Sequence, residues 1–493
     1  MKYFAIVVFI SLYAISFAQN RMNIWELGYS TNINYPNCEM RYVNGVMDTN
    51  KLFRIMSLLD TNSGLSDTSG NLLFYSNGLT ICNKNHDTLQ NAVNFNPGWT
   101  TDFYEPDGMG IDQAILFLPF PGSSKKYYVF SLSGELIQND IQPIHLSYSI
   151  IDMNLDGGLG GIVDSLKNKY AIEDTLTNGG LSAVKHGNGV DWWVIIHKYS
   201  SDTYYKFLIT PNGIQQPIIQ NIGSKITQDI IVSATFSPDG SKFCYSNAGG
   251  TFDFMEFDRC SGEFFNHVSV NSIDSVPFTG CSFSASSRFL YVSTFTDLYQ
   301  FDTWDSDMIN NQIHIAAWDS FVDPIYHIPI FFYMHQLAPD NRIYLSTWNG
   351  SIYFNVINSP DNLGLACNFE PHSYVLPQYN GSIPSFPNYD LEALFGSTCD
   401  TVFTLNLVNN VETNSFKISP NPTIGVLNIL YDTKEDCQLT LYNVRGKQIA
   451  SISLFHYFKN RLLNVSDLAA GVYLATVTCK AERIWSAKVI VQR

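Results

Sequence analysis

The sequence predicts an all-β chain in two parts, and three observations carry that expectation. Aromatic residues make up 14% of the chain, with 28 Tyr and 34 Phe, and such residues favour half-buried pleated surfaces. A strand–turn–strand unit recurs through the first 400 residues or so. No stretch sustains apolar residues at i, i+3, i+4 with helix caps.

The chain begins with the features of a signal peptide, Met1–Ala18. Lys2 is its positive start, Phe4 to Ile15 its apolar core, and Ser16-Phe-Ala18 a small-x-small cleavage site before Gln19. That core is too short to stay as a membrane anchor, and no later apolar run approaches its length. A soluble exported chain without a transmembrane anchor is expected. Formal net charge is −16 with a pI near 4.9, and no basic cluster stands out. Phosphate neutralisation needs Lys and Arg gathered on one face, so nucleic-acid binding is excluded as an expectation.

The body, residues 19–400, exceeds what one core can fill, so it must divide or repeat. It repeats. Phe236-Ser-Pro-Asp-Gly-Ser-Lys-Phe, Phe283-Ser-Ala-Ser-Ser-Arg-Phe and Leu337-Ala-Pro-Asp-Asn-Arg-Ile each read as strand end, polar turn, strand. Looser copies turn at Gly70, Gly122 and Gly189. With Gly240, Ser287 and Asn341 the turns recur about every 50 residues, the period of a β-propeller blade. These turns resemble those of WD-repeat-like propellers. The widest step, Gly122 to Gly189, implies an insertion around Asp164 to Asn178. Six units are visible. The unassigned ends near Trp25 and Tyr389 predict a seventh blade shared by both termini, with six blades as the alternative.

Nine cysteines, seven in the body and Cys437 and Cys479 in the tail, suit an exported protein. Cys437 with Cys479 is the expected bridge, both lying on strands of one small domain. Cys367 with Cys399 and Cys244 with Cys260 are further pairings that spacing alone does not fix.

Few motifs point to chemistry. Asp152-Met-Asn154-Leu-Asp156-Gly opens like a calcium loop, but Val163 stands where the bidentate Glu belongs. A polar hairpin turn is the expectation there, and no metal or other cofactor is assigned. His186 and His197 flank a Gly turn and Asp191, with no nucleophile beside them; structural histidines are expected. No His-Glu-x-x-His or Gly-x-Ser-x-Gly occurs, and no catalytic residue is assigned. Trp99, Phe103 and Tyr104 sit in a turn-rich loop, where aromatics beside Asp and Asn can stack on a sugar ring. They are the candidate ligand-binding residues.

After a linker over 401–415, residues 416–493 read as a small immunoglobulin-like β-sandwich. Leu427, Ile429 and Tyr431 alternate with polar neighbours, as do Leu439 and Leu441. The tail carries Pro420-Asn421-Pro422-Thr-Ile-Gly425, then Val-Arg-Gly446-Lys447, then Gly471-Val-Tyr473, and ends Lys488-Val-Ile-Val-Gln-Arg493. These spaced motifs closely resemble the type A sorting domain of the Bacteroidota type IX secretion system. The resemblance implies a cargo carried across both membranes by that machinery, then released or held at the cell surface. An address names no activity. A non-catalytic propeller that binds a glycan, a surface protein or an envelope component is the expectation, and a polysaccharide hydrolase or lyase on the same scaffold is the alternative.

Overall fold

The computed structural model describes residues 20–32, 34–137, 140–272, 276–394, 397–399, 416–443, 446–480 and 482–492. The expected signal peptide with its Ala18–Gln19 junction, the linker over 401–415 and Arg493 lie outside the described residues. The chain forms two compact units, Met1–Leu394 and Phe395–Arg493.

Seven antiparallel sheets follow one another in the first unit, each a blade of a β-propeller. Blade 1 holds Ile24–Leu27, Asn37–Val43 and Val46–Leu52; blade 2 holds Ser63–Ser66, Leu72–Ser76 and Ile81–Asn83. Blade 3 begins with Ile115–Pro119, blade 4 with Ser182–Lys185, blade 5 with Val232–Phe236, blade 6 with Phe278–Phe283 and blade 7 with His335–Leu337. The long step between blades 3 and 4 is filled twice. A separate hairpin, Gly134–Ile137 with Asp140–Pro143, lies upstream of the expected insertion, and Lys169–Glu173 adds an edge strand within it.

Local chemistry writes the repeat. In the blade 5 turn, Ser237 Oγ donates to Asp239 Oδ1 and the Gly240 N–H reaches the Ser237 carbonyl at 2.8 Å. Gly240 has φ +72°, and a Cβ there would meet Leu391, Val184 and Arg259 within 2.8 Å. Ser287 and Asn341 take the same left-handed turn position at φ 64° and 63°, Asn because its side chain tolerates it.

The ring closes between blades 1 and 7. Trp25 meets the Tyr344 ring edge-on at 5.8 Å, and the Gly28 N–H donates to Asn380 Oδ1 at 2.9 Å. The C-terminal stretch does not join blade 1 as a ladder strand, because Pro384 and Pro387 lack the N–H a ladder needs. Residues 381–394 instead run down the propeller axis. At one end the Ser385 N–H bonds the Asn62 carbonyl; midway Tyr389 Oη donates to the Phe117 carbonyl at 2.7 Å. At the other end the Leu394 N–H bonds the Gly187 carbonyl, and Arg259 Nη2 donates to the Glu392 carbonyl.

Cysteine pairing differs in part from expectation. Cys437 and Cys479 are bridged, as neighbours across one ladder. Cys244 and Cys367 are buried thiols, so neither bridge proposed for them forms; Cys260 and Cys399 are each disulfide-bonded. Cys244 faces the apolar interior between blades 5 and 6, away from Cys260 in the turn after Asp258.

The second unit packs two sheets face to face. Lys417–Ser419, Val426–Leu430 and Asn460–Asn464 form one; Gln448–Leu454, Cys437–Asn443, Gly471–Cys479 and Glu482–Val491 form the other. Leu427, Ile429, Leu439, Leu441, Ala475, Val477 and Val489 make the core between them.

Candidate functional site

A cavity of about 880 Å³ lies where the first strands of blades 5, 6 and 7 end. Turn residues of three blades reach it: Phe236 and Pro238, Phe283 and Ala285, Pro339 and Asn341. The N-terminal stretch Asn20–Asn23 and the blade 1 turn at Asn44 and Gly45 form another wall. Phe386, Asn388 and Asp390 of the axial segment supply its inner side. Both termini of the propeller thus build the same cavity.

Its lining is amide and aromatic. Asn20, Asn23, Asn44, Gln336, Asn341 and Asn388 stand among Tyr42, Phe236, Phe283 and Phe386; among the described residues, Arg21 and Asp390 are the charged lining side chains. Several are already committed. Asn388 Nδ2 donates to the Pro238 carbonyl at 2.6 Å, and Gln336 Oε1 accepts the Phe386 N–H. His335 is buried and its pKa is pushed down to about 3 by desolvation, so the ring is neutral. Nε2 pairs with Ser293 Oγ at 2.8 Å, while Nδ1 has no hydrogen-bond partner.

Acidic groups collect at the opposite end of the axis. Asp60, Asp112 and Asp229 each stand just ahead of the first strand of a blade. Asp112 accepts from Tyr333 Oη at 2.9 Å and from the Val232 N–H at 3.3 Å, yet burial pushes its carboxyl up to about 7. Burial raises Asp60 too, with the charge of Asp112 adding to it. Asp229, bonded by the Asn178 N–H at 2.7 Å, is pushed up by burial to about 6. The cavity beside Asp60 holds only about 10 Å³, room for about one water.

The residues singled out by sequence are scattered. Trp99–Tyr104 forms a short helix, α1, where Trp99 and Phe103 stack face to face at 4.8 Å, so each ring covers one face of the other. Phe103 remains 62% exposed, and Tyr104 packs over Gly110. These rings do not line the large cavity. Asp152 Oδ1 accepts from the N–H and the Nδ2 of Asn154, and Asp156 begins a 3-10 turn. Among the described residues no three His, Cys, Asp or Glu are grouped to hold a metal. His186 and His197 sit at opposite ends of the strand Trp192–His197 and its hairpin, each bonded to a backbone carbonyl. The cavity residues escaped sequence reading because they are mostly single Asn, Phe and Ala side chains in six separate stretches of the chain. The amide-rich Asn20-Arg-Met-Asn23 was the one signal available.

In the tail, Asn421 spans Pro420–Pro422 to the last strand: Nδ2 donates to the Lys488 carbonyl and Oδ1 accepts the Ile490 N–H. Tyr473 Oη donates to the Ala469 carbonyl, and Gly446 closes the hairpin onto Asn443.

Residues 417–492 match the family described as Secretion system C-terminal sorting domain. No curated protein matches the chain. Among solved structures, the periplasmic gluconolactonase PpgL of Pseudomonas aeruginosa is 10% identical at a TM-score of 0.35, over 89% of this chain and 99% of that one. The β-propeller domain of Cps50 (Swd1) from Myceliophteria thermophila is 9% identical at 0.30, over 77% and 97%. A functionally unknown protein from Desulfotomaculum acetoxidans is 12% identical at 0.37, over 73% and 99%. At such values these likenesses say nothing of activity. The sorting tail marks the protein for secretion by the type IX machinery toward the cell surface or the extracellular space. No helix among the described residues is long and apolar enough to cross a membrane.

Proposed function

We propose that the protein is an exported binding module whose propeller-face cavity takes an uncharged polyhydroxylated ligand, such as a glycan chain end. The observation that carries this reading is the lining: amides for hydroxyl groups and aromatic faces for sugar rings, with one carboxylate, Asp390. Glycoside cleavage by the usual route needs two carboxyl groups flanking one bond. One pair of interacting carboxylates, Asp60 and Asp112, stands at the other end of the axis, where the space beside Asp60 is too small for a sugar. That arrangement favours recognition over turnover.

A glycan array probed with the mature chain tests the reading, alongside Ala285→Trp, which places an indole in the cavity. Binding that the variant loses at least tenfold is the expected result. Equal binding by both proteins, or breakdown of any arrayed polysaccharide at an enzymatic rate, would overturn it.

A further inference from the structure

Three segments far apart in the chain meet at Asp229, at the acidic end of the axis. The inserted hairpin, Gly134–Ile137 with Asp140–Pro143, supplies Gln142, whose Nε2 donates to Asp229 Oδ1 at 3.3 Å. The stretch ahead of blade 4 supplies Asn178. Its N–H donates to Asp229 Oδ2 at 2.7 Å, and its Nδ2 donates to the Ile141 carbonyl at 2.5 Å. Asp140 stands at the exposed edge of the group, where Tyr199 Oη donates to it at 3.4 Å, and its charge acts on Asp229.

The oxygens of both amides are left over. Gln142 is 3% exposed, and neither its Oε1 nor Asn178 Oδ1 has a hydrogen-bond partner, although both atoms are closed off from solvent. Turning the amides over cures neither. A turned Gln142 would set its oxygen against the Asp229 carboxylate, and a turned Asn178 would set its oxygen against the Ile141 carbonyl. The nitrogens are fixed by the bonds they donate, so each oxygen stands as an acceptor beside them. A buried acceptor without a partner is costly.

The charge is uncompensated as well. The leading influences on Asp229 are its burial, the Asn178 and Gln142 donors and the charge of Asp140, with no Lys or Arg among them. Lys198, next to Tyr199 in the chain, is spent on Asp174. A water molecule would donate to the two amide oxygens but would leave the two carboxylates facing each other. A cation meets both needs. Donors that are all oxygen select a hard ion. Two carboxylates favour a divalent one, and donors drawn from three unrelated segments give the irregular geometry that calcium accepts and magnesium does not.

We propose that Asp229, Gln142 Oε1 and Asn178 Oδ1 bind one calcium ion, with Asp140 and water completing a shell of about six to eight oxygens on the exposed side. The ion pins the inserted hairpin to the stretches that lead into blades 4 and 5. Half-saturation falls at about 0.1–1 mM, the range of extracellular calcium modules.

Thermal unfolding of the mature chain, stripped with EDTA and then titrated with calcium chloride, is the test, and isothermal titration counts the ions. The midpoint should rise by about 2 °C at ten times the half-saturating concentration, with one ion bound per chain. Asp229→Asn keeps the shape and an acceptor for the Asn178 N–H; it should lose the rise and bind at least tenfold more weakly. Gln142→Met keeps the length of the side chain and removes the oxygen; it should bind severalfold more weakly, and it replaces the Asn variant if that one fails to fold. Asp152→Asn, in the loop whose sequence opens like a calcium site, should bind as wild type does. A wild-type chain that neither shifts nor binds calcium overturns the proposal. So does a rise that Asp229→Asn and Gln142→Met retain, one that Asp152→Asn abolishes, or one that magnesium matches at the same concentration.

Discussion

Tyr389 is the side chain on which the axial segment turns from a tether into a plug. It is fully buried, its ring meets Trp192 edge-on at 5.9 Å, and its hydroxyl donates to the Phe117 carbonyl at 2.7 Å. A buried tyrosine removes roughly 150–200 Å² from water, which at about 25 cal/mol per Å² gives about 4–5 kcal/mol. Truncations of large buried aromatics cost about 3–5 kcal/mol, in the same range. Tyr389→Ala should therefore destabilise the propeller by about 4 kcal/mol. Tyr389→Phe keeps the ring and removes one buried hydrogen bond, costing about 1 kcal/mol, or up to about 3 if the carbonyl is orphaned. Urea unfolding of the full chain, followed by the fluorescence of the adjacent Trp192, reads both. The Ala variant should shift the midpoint far more than the Phe variant. A loss below about 1 kcal/mol in Tyr389→Ala, against the 3–5 expected, would mean the segment is not seated in the axis.

Three further outcomes follow from burial. Asp112 ionises near 7 in the folded chain, while an unfolded aspartate ionises near 4. Its stabilising contribution is full below pH 4 and is lost as pH rises through 7. Asp112→Asn, which can still accept from the Val232 N–H and donate to Tyr333 Oη, should gain stability relative to wild type between pH 4 and 8. A pH-independent difference would refute the assignment. Cys38, Cys82, Cys244, Cys281 and Cys367 are buried thiols, so the native protein should leave all five unreacted with a thiol reagent and release them on denaturation; rapid labelling of any one in the native state contradicts its burial. The Cys437–Cys479 bridge closes a 42-residue separation, and by chain entropy its removal in Cys437→Ala/Cys479→Ala should cost the tail about 2–4 kcal/mol. Equal tail melting with and without the bridge would show that the closed loop contributes nothing.

What could be read from the sequence was what local chemistry encodes. Ser237, Asp239 and Gly240 state their turn in three residues, and Asn341 repeats it with a side chain that tolerates the same backbone. Strand alternation in the tail likewise placed Leu439 and Leu441 in its core. The axial segment was not legible. Residues 381–394 have neither a strand's period nor a helix's, and Tyr389 differs from an exposed tyrosine only through Phe117 and Trp192, far away in the chain. The cavity was hidden for the same reason. Asn44, Ala285 and Asn341 become neighbours only when blades 1, 6 and 7 close the ring. Trp99 and Phe103 drew notice as aromatics in a loop, but a sequence does not show that they spend one face each on the other.

Closure of the ring and the proposed recognition share parts. The wall formed by Asn20–Asn23 comes from the start of the propeller and the wall formed by Phe386, Asn388 and Asp390 from its end. A ligand bridging these walls would touch two stretches held together by a few side chains: Asn388 on the Pro238 carbonyl, Phe386 against Trp25, Asn380 on the Gly28 N–H. Any change that loosens the axial segment must widen or dissolve the cavity, and any occupant that binds the closed ring alone must stabilise closure by mass action. Loss of binding in Tyr389→Ala would then be a consequence of an open ring, whereas loss in Ala285→Trp would come from a filled cavity in a closed one. The urea midpoints of the two variants separate these cases, because only the first removes a buried side chain from the axis.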